Sequence, residues 1–288
     1  MRWYPEIYKE VMNYSGWSLF GALSGVVRSQ GINILLNIYF NPIVNAARAI
    51  AYQVNSAINQ FVLNFFKAVQ PQITKYYAAS EANELQKLIY RSSRFCFFLI
   101  LLLALPLLFE MPYILSIWLN EVPEYTVLFS RLVILVAIID STAYPLQTAI
   151  SATGRIKWYQ IVTGGLLIMN LPISWIFLRV GFQPEITMYI ALVISIISQI
   201  LRIIFAHRLV NIPVINYCKE VLVSILKVSF LTVLPSFFIH NFFSCTSQGA
   251  LISMILIVFV SLFFIVVIGM TTNERRIIWS GFKSKLRR

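Results

Sequence analysis

Residues 41–61 read NPIVNAARAIAYQVNSAINQF, and how this stretch is read decides the fold. It is apolar and long enough for a bilayer, yet it holds Arg48, five amides from Asn45 to Gln60 and a serine. At 100° per residue, Asn45, Arg48, Tyr52, Asn55 and Asn59 fall on one narrow arc. Gln53, Ser56, Gln60 and Asn64 widen that arc to about half the helix, and Ile43, Ile50, Val54, Ile58, Phe61 and Phe65 take the other half. The pattern predicts an amphipathic spanning helix with one face toward a polar interior.

The rest of the chain supplies the membrane. Of its 288 residues 59% are hydrophobic and 12% charged, whereas soluble domains run near a quarter charged. About eight segments reach the roughly 20 apolar residues that a span needs. They lie near 15–40, 43–66, 88–110, 125–150, 158–179, 184–206, 220–240 and 249–270. The expected fold is therefore all-α and polytopic. MPYILSIWLN, after Glu110, reads as a short interfacial helix, and 72–90 as an amphipathic surface helix. MRWYPEIYKE lacks the apolar core of a cleavable signal peptide.

The connectors predict orientation. Lys67, Lys75, Lys87, Arg91 and Arg94, then Arg155 and Lys157, then Arg208 and Lys219, and finally the tail NERRIIWSGFKSKLRR fall in alternate connectors. Those between them, at 41–42, 120–125, 181–185 and 240–249, contain no Lys or Arg. This asymmetry places both termini and the basic loops in the cytoplasm, and it accounts for the net charge of +12 without nucleic acid as a partner. Contact with anionic membrane lipid is expected for the tail.

Chemistry is sparse. Walker A, GxGxxG, HExxH and GxSxG sequences are absent, and no carboxylate pair is spaced for acid–base work, so no enzyme and no cofactor are expected. Cys96, Cys218 and Cys245 form no CxxC pair, and His207 and His240, read as interfacial, have no metal-ligand spacing, so no metal is expected. What remains is charge inside the spans. Arg28 shares a face with Gly21, Ser24, Gly25 and Gly31, small residues that allow close helix approach or leave room for a ligand group; Gln30, Asn33 and Asn37 form another polar row. Each arginine near mid-membrane costs about 2.5–3.5 kcal/mol on insertion scales. Asp140, near Pro145, is the acid read as deep in a span and is the candidate counter-charge for one arginine, with Arg131 a competitor. It cannot neutralise both Arg28 and Arg48. A cavity for an anion is favoured over internal pairing, because a guanidinium grips phosphate oxygens with two hydrogen bonds.

The blocks SGWSLFGALSGVVRSQGINILLNIYFNPIVNAARAIAYQVNSAINQF, AVQPQITKYYA, LIYRSSRF, NEVPEYTVLF and TAISATGRIKWYQ together resemble the bacterial polysaccharide-biosynthesis flippases of the multidrug/oligosaccharidyl-lipid/polysaccharide exporter superfamily. The resemblance runs from about residue 14 to about residue 225. It implies two six-helix lobes around a cationic cavity and translocation of undecaprenyl-diphosphate-linked oligosaccharide across the bacterial inner membrane, for O-antigen or similar polymers. By this likeness the chain corresponds to the C-terminal half: residues 1–12 a cytoplasmic segment, 13–210 the second lobe, 211–270 two additional helices, and 271–288 a basic cytoplasmic tail. Arg28 and Arg48 would meet the diphosphate, and Asn33, Asn45, Tyr52, Asn55 and Asn59 would line the cavity with them. A complementary first lobe, or self-association, is expected to close it. The competing expectations are a multidrug antiporter of the same superfamily and a non-transporting subunit of a glycan-assembly complex.

Overall fold

The computed structural model describes residues 5–243, 247–272 and 274–276, and they form an all-α polytopic membrane protein with no strand among them. Cys245 and the tail from 277 onward lie outside the described residues. The helices are α1 Pro5–Tyr39, α2 Pro42–Ala78, α3 Ala82–Trp118, α4 Thr126–Ser141, α5 Ala143–Ala152, α6 Lys157–Arg179, α7 Ile186–Val210, α8 Val214–Tyr217, α9 Val223–Phe243 and α10 Ser247–Phe264. A π turn, Cys218–Leu222, joins α8 to α9, and another, Ile265–Gly269, ends α10.

Six of these helices, α8 and α9 together counting as one, are long and apolar enough to cross a membrane. The pair α4 and α5, bent by 45°, makes a seventh. The remaining expected span, 43–66, lies in α2. That helix has 37 residues, about 55 Å at 1.5 Å per residue, but its arginine and amides keep it less apolar than the others. Phe230, Phe238, Phe259 and Phe263 stand exposed on α9 and α10, as side chains solvated by lipid do.

Local chemistry sets the breaks. Asn41 caps α2, its side-chain oxygen accepting from the Val44 N–H at 3.2 Å, and Pro42 follows at the first position, where a missing N–H costs nothing. In α3, Pro112 has no N–H for the Leu108 carbonyl, and the helix kinks at Glu110 (φ −99°, ψ 22°). Arg131 takes up the released acceptor, its Nε donating to Leu108 O at 2.9 Å, and its Nη2 donates to the neighbouring Phe109 O at 3.4 Å. Arg131 therefore neither competes for Asp140 nor snorkels outward. The segment after Glu110 is a short helix of its own, as expected, running on from α3 across the kink. Residues 72–90 depart from expectation: α2 ends at Ala78 and α3 begins at Ala82, with Ser80 at φ 59° in the turn.

Side-chain contacts gather the basic connectors at one end. Gln86 donates to Asn211 O at 3.3 Å, Arg94 reaches the Glu274 carboxylate at 2.7 Å, and Lys157 sits 5.4 Å from the Trp17 ring. Thr271 and Glu274 form a reciprocal capping box that holds Glu274 toward Arg94. At the other end Tyr125 donates to Gln183 at 3.1 Å. There Glu110, buried at the α3 kink, meets His240 Nδ1 and Ser253 Oγ, each at 2.7 Å. His240 is thus a partner of a buried carboxylate and not merely interfacial, and Glu110 is a second intramembrane acid besides Asp140. α9 and α10 pack chiefly on each other and on α3.

Candidate functional site, an intramembrane polar cavity

A cavity of about 290 Å³ opens between α1, α2, α4, α5 and α7. Its wall carries Gly25 and Arg28 from α1, Tyr52, Asn55 and Asn59 from α2, Asp140 from α4 and Tyr144 from α5. Met188 and Ala191 supply the apolar side from α7. By rise per residue, Asn55 and Asp140 both lie about 20 Å along their helices from the end opposite the basic connectors, so the cavity sits near the middle of the bundle.

The amides are ordered by one another. Asn59 Nδ2 donates to Asn55 Oδ1 at 2.7 Å, and the Tyr144 hydroxyl donates to Asn59 Oδ1 at 3.3 Å. Asp140 is occupied: its Oδ1 accepts Arg202 Nη1 at 2.9 Å and Ser195 Oγ at 3.0 Å, both from α7. The counter-charge expected for Arg28 or Arg48 is therefore spent on a third arginine. Arg28, by contrast, makes no hydrogen bond or ion pair with any described residue. With Asp140 and Arg202 cancelling, the cavity carries about one net positive charge from Arg28. An anion about 4 Å away would gain about 4 kcal/mol at an effective dielectric near 20. That is comparable to the cost of inserting the guanidinium, about 2.5–3.5 kcal/mol.

The structure divides the expected site. Arg28, Tyr52, Asn55 and Asn59 come together. Arg48, Asn33 and Asn45 do not line this cavity, and form a cluster of their own between α1 and α2. Arg48 is buried, donates to Asn33 Oδ1 and lies 4.6 Å from the Tyr52 ring centroid, a cation–π contact. Asn45 Nδ2 donates to Asn33 O at 3.1 Å. Arg48 is thereby a structural tie on this geometry, although its Nε has no partner. The small residues of α1 serve both expected purposes. A Cβ on Gly21 would strike Gln160, and one on Gly31 would strike Leu171, both on α6, whereas one on Gly25 would meet open space beside Arg28.

Arg202 escaped the sequence reading because its partner is 62 residues away. A signal existed: Ser195, Ser198, Gln199 and Arg202 recur at helical spacing, a polar row within an apolar span.

The chain matches no family model, no curated protein and no solved structure.

Proposed function

We propose that the chain forms the substrate-lining lobe of a flippase for lipid-linked oligosaccharide in the bacterial inner membrane, acting by alternating access without covalent chemistry. The observation that carries this reading is Arg28, an arginine with no partner among the described residues, on an intramembrane cavity that also presents two oriented amides, Asn55 and Asn59. A guanidinium suits a diphosphate and amides suit sugar hydroxyls. In this reading the basic end, and both termini with it, faces the cytoplasm, where substrate is loaded.

The same reading calls for cover on α2. Gln53, Ser56, Gln60 and Asn64 are exposed along its outer face, and lipid cannot hydrogen-bond them. A complementary six-helix lobe, or a second copy, would enclose that stripe together with the cavity.

The test is Arg28→Ala in a strain that depends on the assembled transporter for surface polysaccharide. Export should fall at least tenfold while membrane abundance stays near normal. Arg28→Lys should recover part of it, since an ammonium keeps the charge and loses the fork. Unchanged export by Arg28→Ala would sink the reading.

A further inference from the structure

A second cavity, about 570 Å³, lies between α1, α2 and α5 toward the basic end. It shares one lining residue, Tyr144, with the central cavity. Its polar wall comprises Lys67, Gln70 and Thr74 of α2 with Gln147, Thr148 and Ser151 of α5, and Tyr14 and Phe66 add aromatic surface. Lys67, like Arg28, has no hydrogen bond or ion pair with any described residue. Pro71, four residues on, has no N–H for the Lys67 carbonyl, which leaves one more acceptor in this stretch.

Tyr144 stands where the two volumes meet. Its hydroxyl is tied to Asn59 of the central cavity at 3.3 Å, and its ring stacks on Phe66 of the outer one, centroids 5.8 Å apart. It sits two residues beyond the 45° bend between α4 and α5. Gln199 of α7, at 2.8 Å from the Thr142 hydroxyl, and Ser93 of α3 brace that bend.

We propose that the basic-end cavity is a second binding subsite, for a hydroxyl-bearing phosphate such as a sugar phosphate moiety, with Lys67 as its cation and Tyr144 as the partition from the Arg28 cavity. Amide and hydroxyl groups supply donors and acceptors for sugar hydroxyls, the aromatic rings offer flat apolar faces, and the ammonium meets the phosphate as a point charge. The two sites thus present the same chemistry twice, an unpartnered cation beside amides, at two depths along one track. Opening the track requires only that Tyr144 leave Asn59 and Phe66, a side-chain movement at a bend. This rests on the transport reading for its purpose, not for its chemistry.

The experiment uses the full chain in lipid nanodiscs, with Cys218→Ser and Cys245→Ser, a single reporter at Gln147→Cys or Asn55→Cys, and a small neutral methanethiosulfonate reagent. Glucose 1-phosphate at millimolar concentration should slow labelling of Gln147→Cys at least threefold. Lys67→Gln should remove that protection, and Arg28→Ala should leave it intact. Tyr144→Ala should raise labelling of Asn55→Cys about tenfold, and Tyr144→Phe, which keeps the ring, by less. Unchanged size-exclusion profiles of the Lys67→Gln and Tyr144→Ala chains report that the fold is preserved. Absent protection, or protection equal in Lys67→Gln, overturns the subsite, and an unchanged Asn55→Cys rate in Tyr144→Ala overturns the partition. The export result for Arg28→Ala stands or falls separately.

Discussion

The three arginines at and beside the cavity have three different fates, and each fate predicts a different loss. Arg28 lines a cavity without a partner among the described residues, Arg48 is buried against Asn33 and Tyr52, and Arg202 neutralises Asp140. Arg48→Ala should lower the stability of the detergent-solubilised chain by about 1–3 kcal/mol, since it strands the Asn33 amide and removes a buried cation–π contact. Arg28→Ala should leave thermal stability unchanged, and a scanning thermal-shift assay separates the two. Arg202→Met isolates the Asp140 carboxylate. Removing one member of a buried pair costs about 3–5 kcal/mol, discounted here because a third of the Asp140 side chain is exposed to the cavity. Asp140→Leu added to Arg202→Met should restore most of the loss, because a pair replaced by apolar groups needs no desolvation. Failure of that rescue, with rescue by an Arg48 change instead, would reassign the partner of Asp140.

The elements hold together through close approach and through acceptors released by proline. α1 lies against α6 where glycine removes the Cβ, so Gly31→Leu should drive into Leu171 and reduce folded yield sharply. Gly25→Ala meets open space, and with alanine's better helix propensity it should be neutral or stabilising by up to about 1 kcal/mol. Fluorescence-detected size-exclusion profiles of the two variants check the contrast. At the α3 kink, Arg131 serves the Leu108 carbonyl that Pro112 leaves without a donor, and Glu110 joins α3 to α9 and α10 through His240 and Ser253. Glu110→Ala should loosen α9 and α10 from α3, seen as faster proteolysis after Phe243, while the arrangement of α1, α2 and α7 around the cavity persists.

At the scale of the molecule, the basic connectors share one end, and the positive-inside rule turns that into a topology. Arg155→Cys should react with an impermeant thiol reagent only after permeabilisation, and Glu121→Cys should react on intact spheroplasts. Reversed labelling would overturn the proposed orientation and, with it, the proposed side of loading. The exposed stripe on α2 makes a second whole-molecule prediction. Replacing Gln53, Ser56, Gln60 and Asn64 with Leu should raise recovery of the chain expressed by itself, since each uncovered amide in lipid is costly. On the proposed transport reading the same changes should also abolish export, because they remove the surface offered to a complementary lobe. Unchanged recovery would mean that the stripe never faces lipid in the cell.

The all-α membrane class, the positions of seven of the eight expected spans and the clustering of basic connectors were determined by the sequence alone. Each depends on composition or on local periodicity, which neighbours along the chain are enough to express. Part of the candidate cavity's lining was legible for the same reason: Arg28, Tyr52, Asn55 and Asn59 lie on helical arcs of α1 and α2 that face it. Only the tertiary structure decided which charges meet. Arg48 and Arg28 look equivalent on a helical wheel, yet one is buried on Asn33 and the other opens onto the cavity, because α1 packs on α6 and splays from α2. The union of Asp140 with Arg202, and of Glu110 with His240 and Ser253, spans 62 residues in one case and at least 130 in the other. Ion pairing acts over a few ångströms in space and leaves no period in the chain, so packing alone selects the partner.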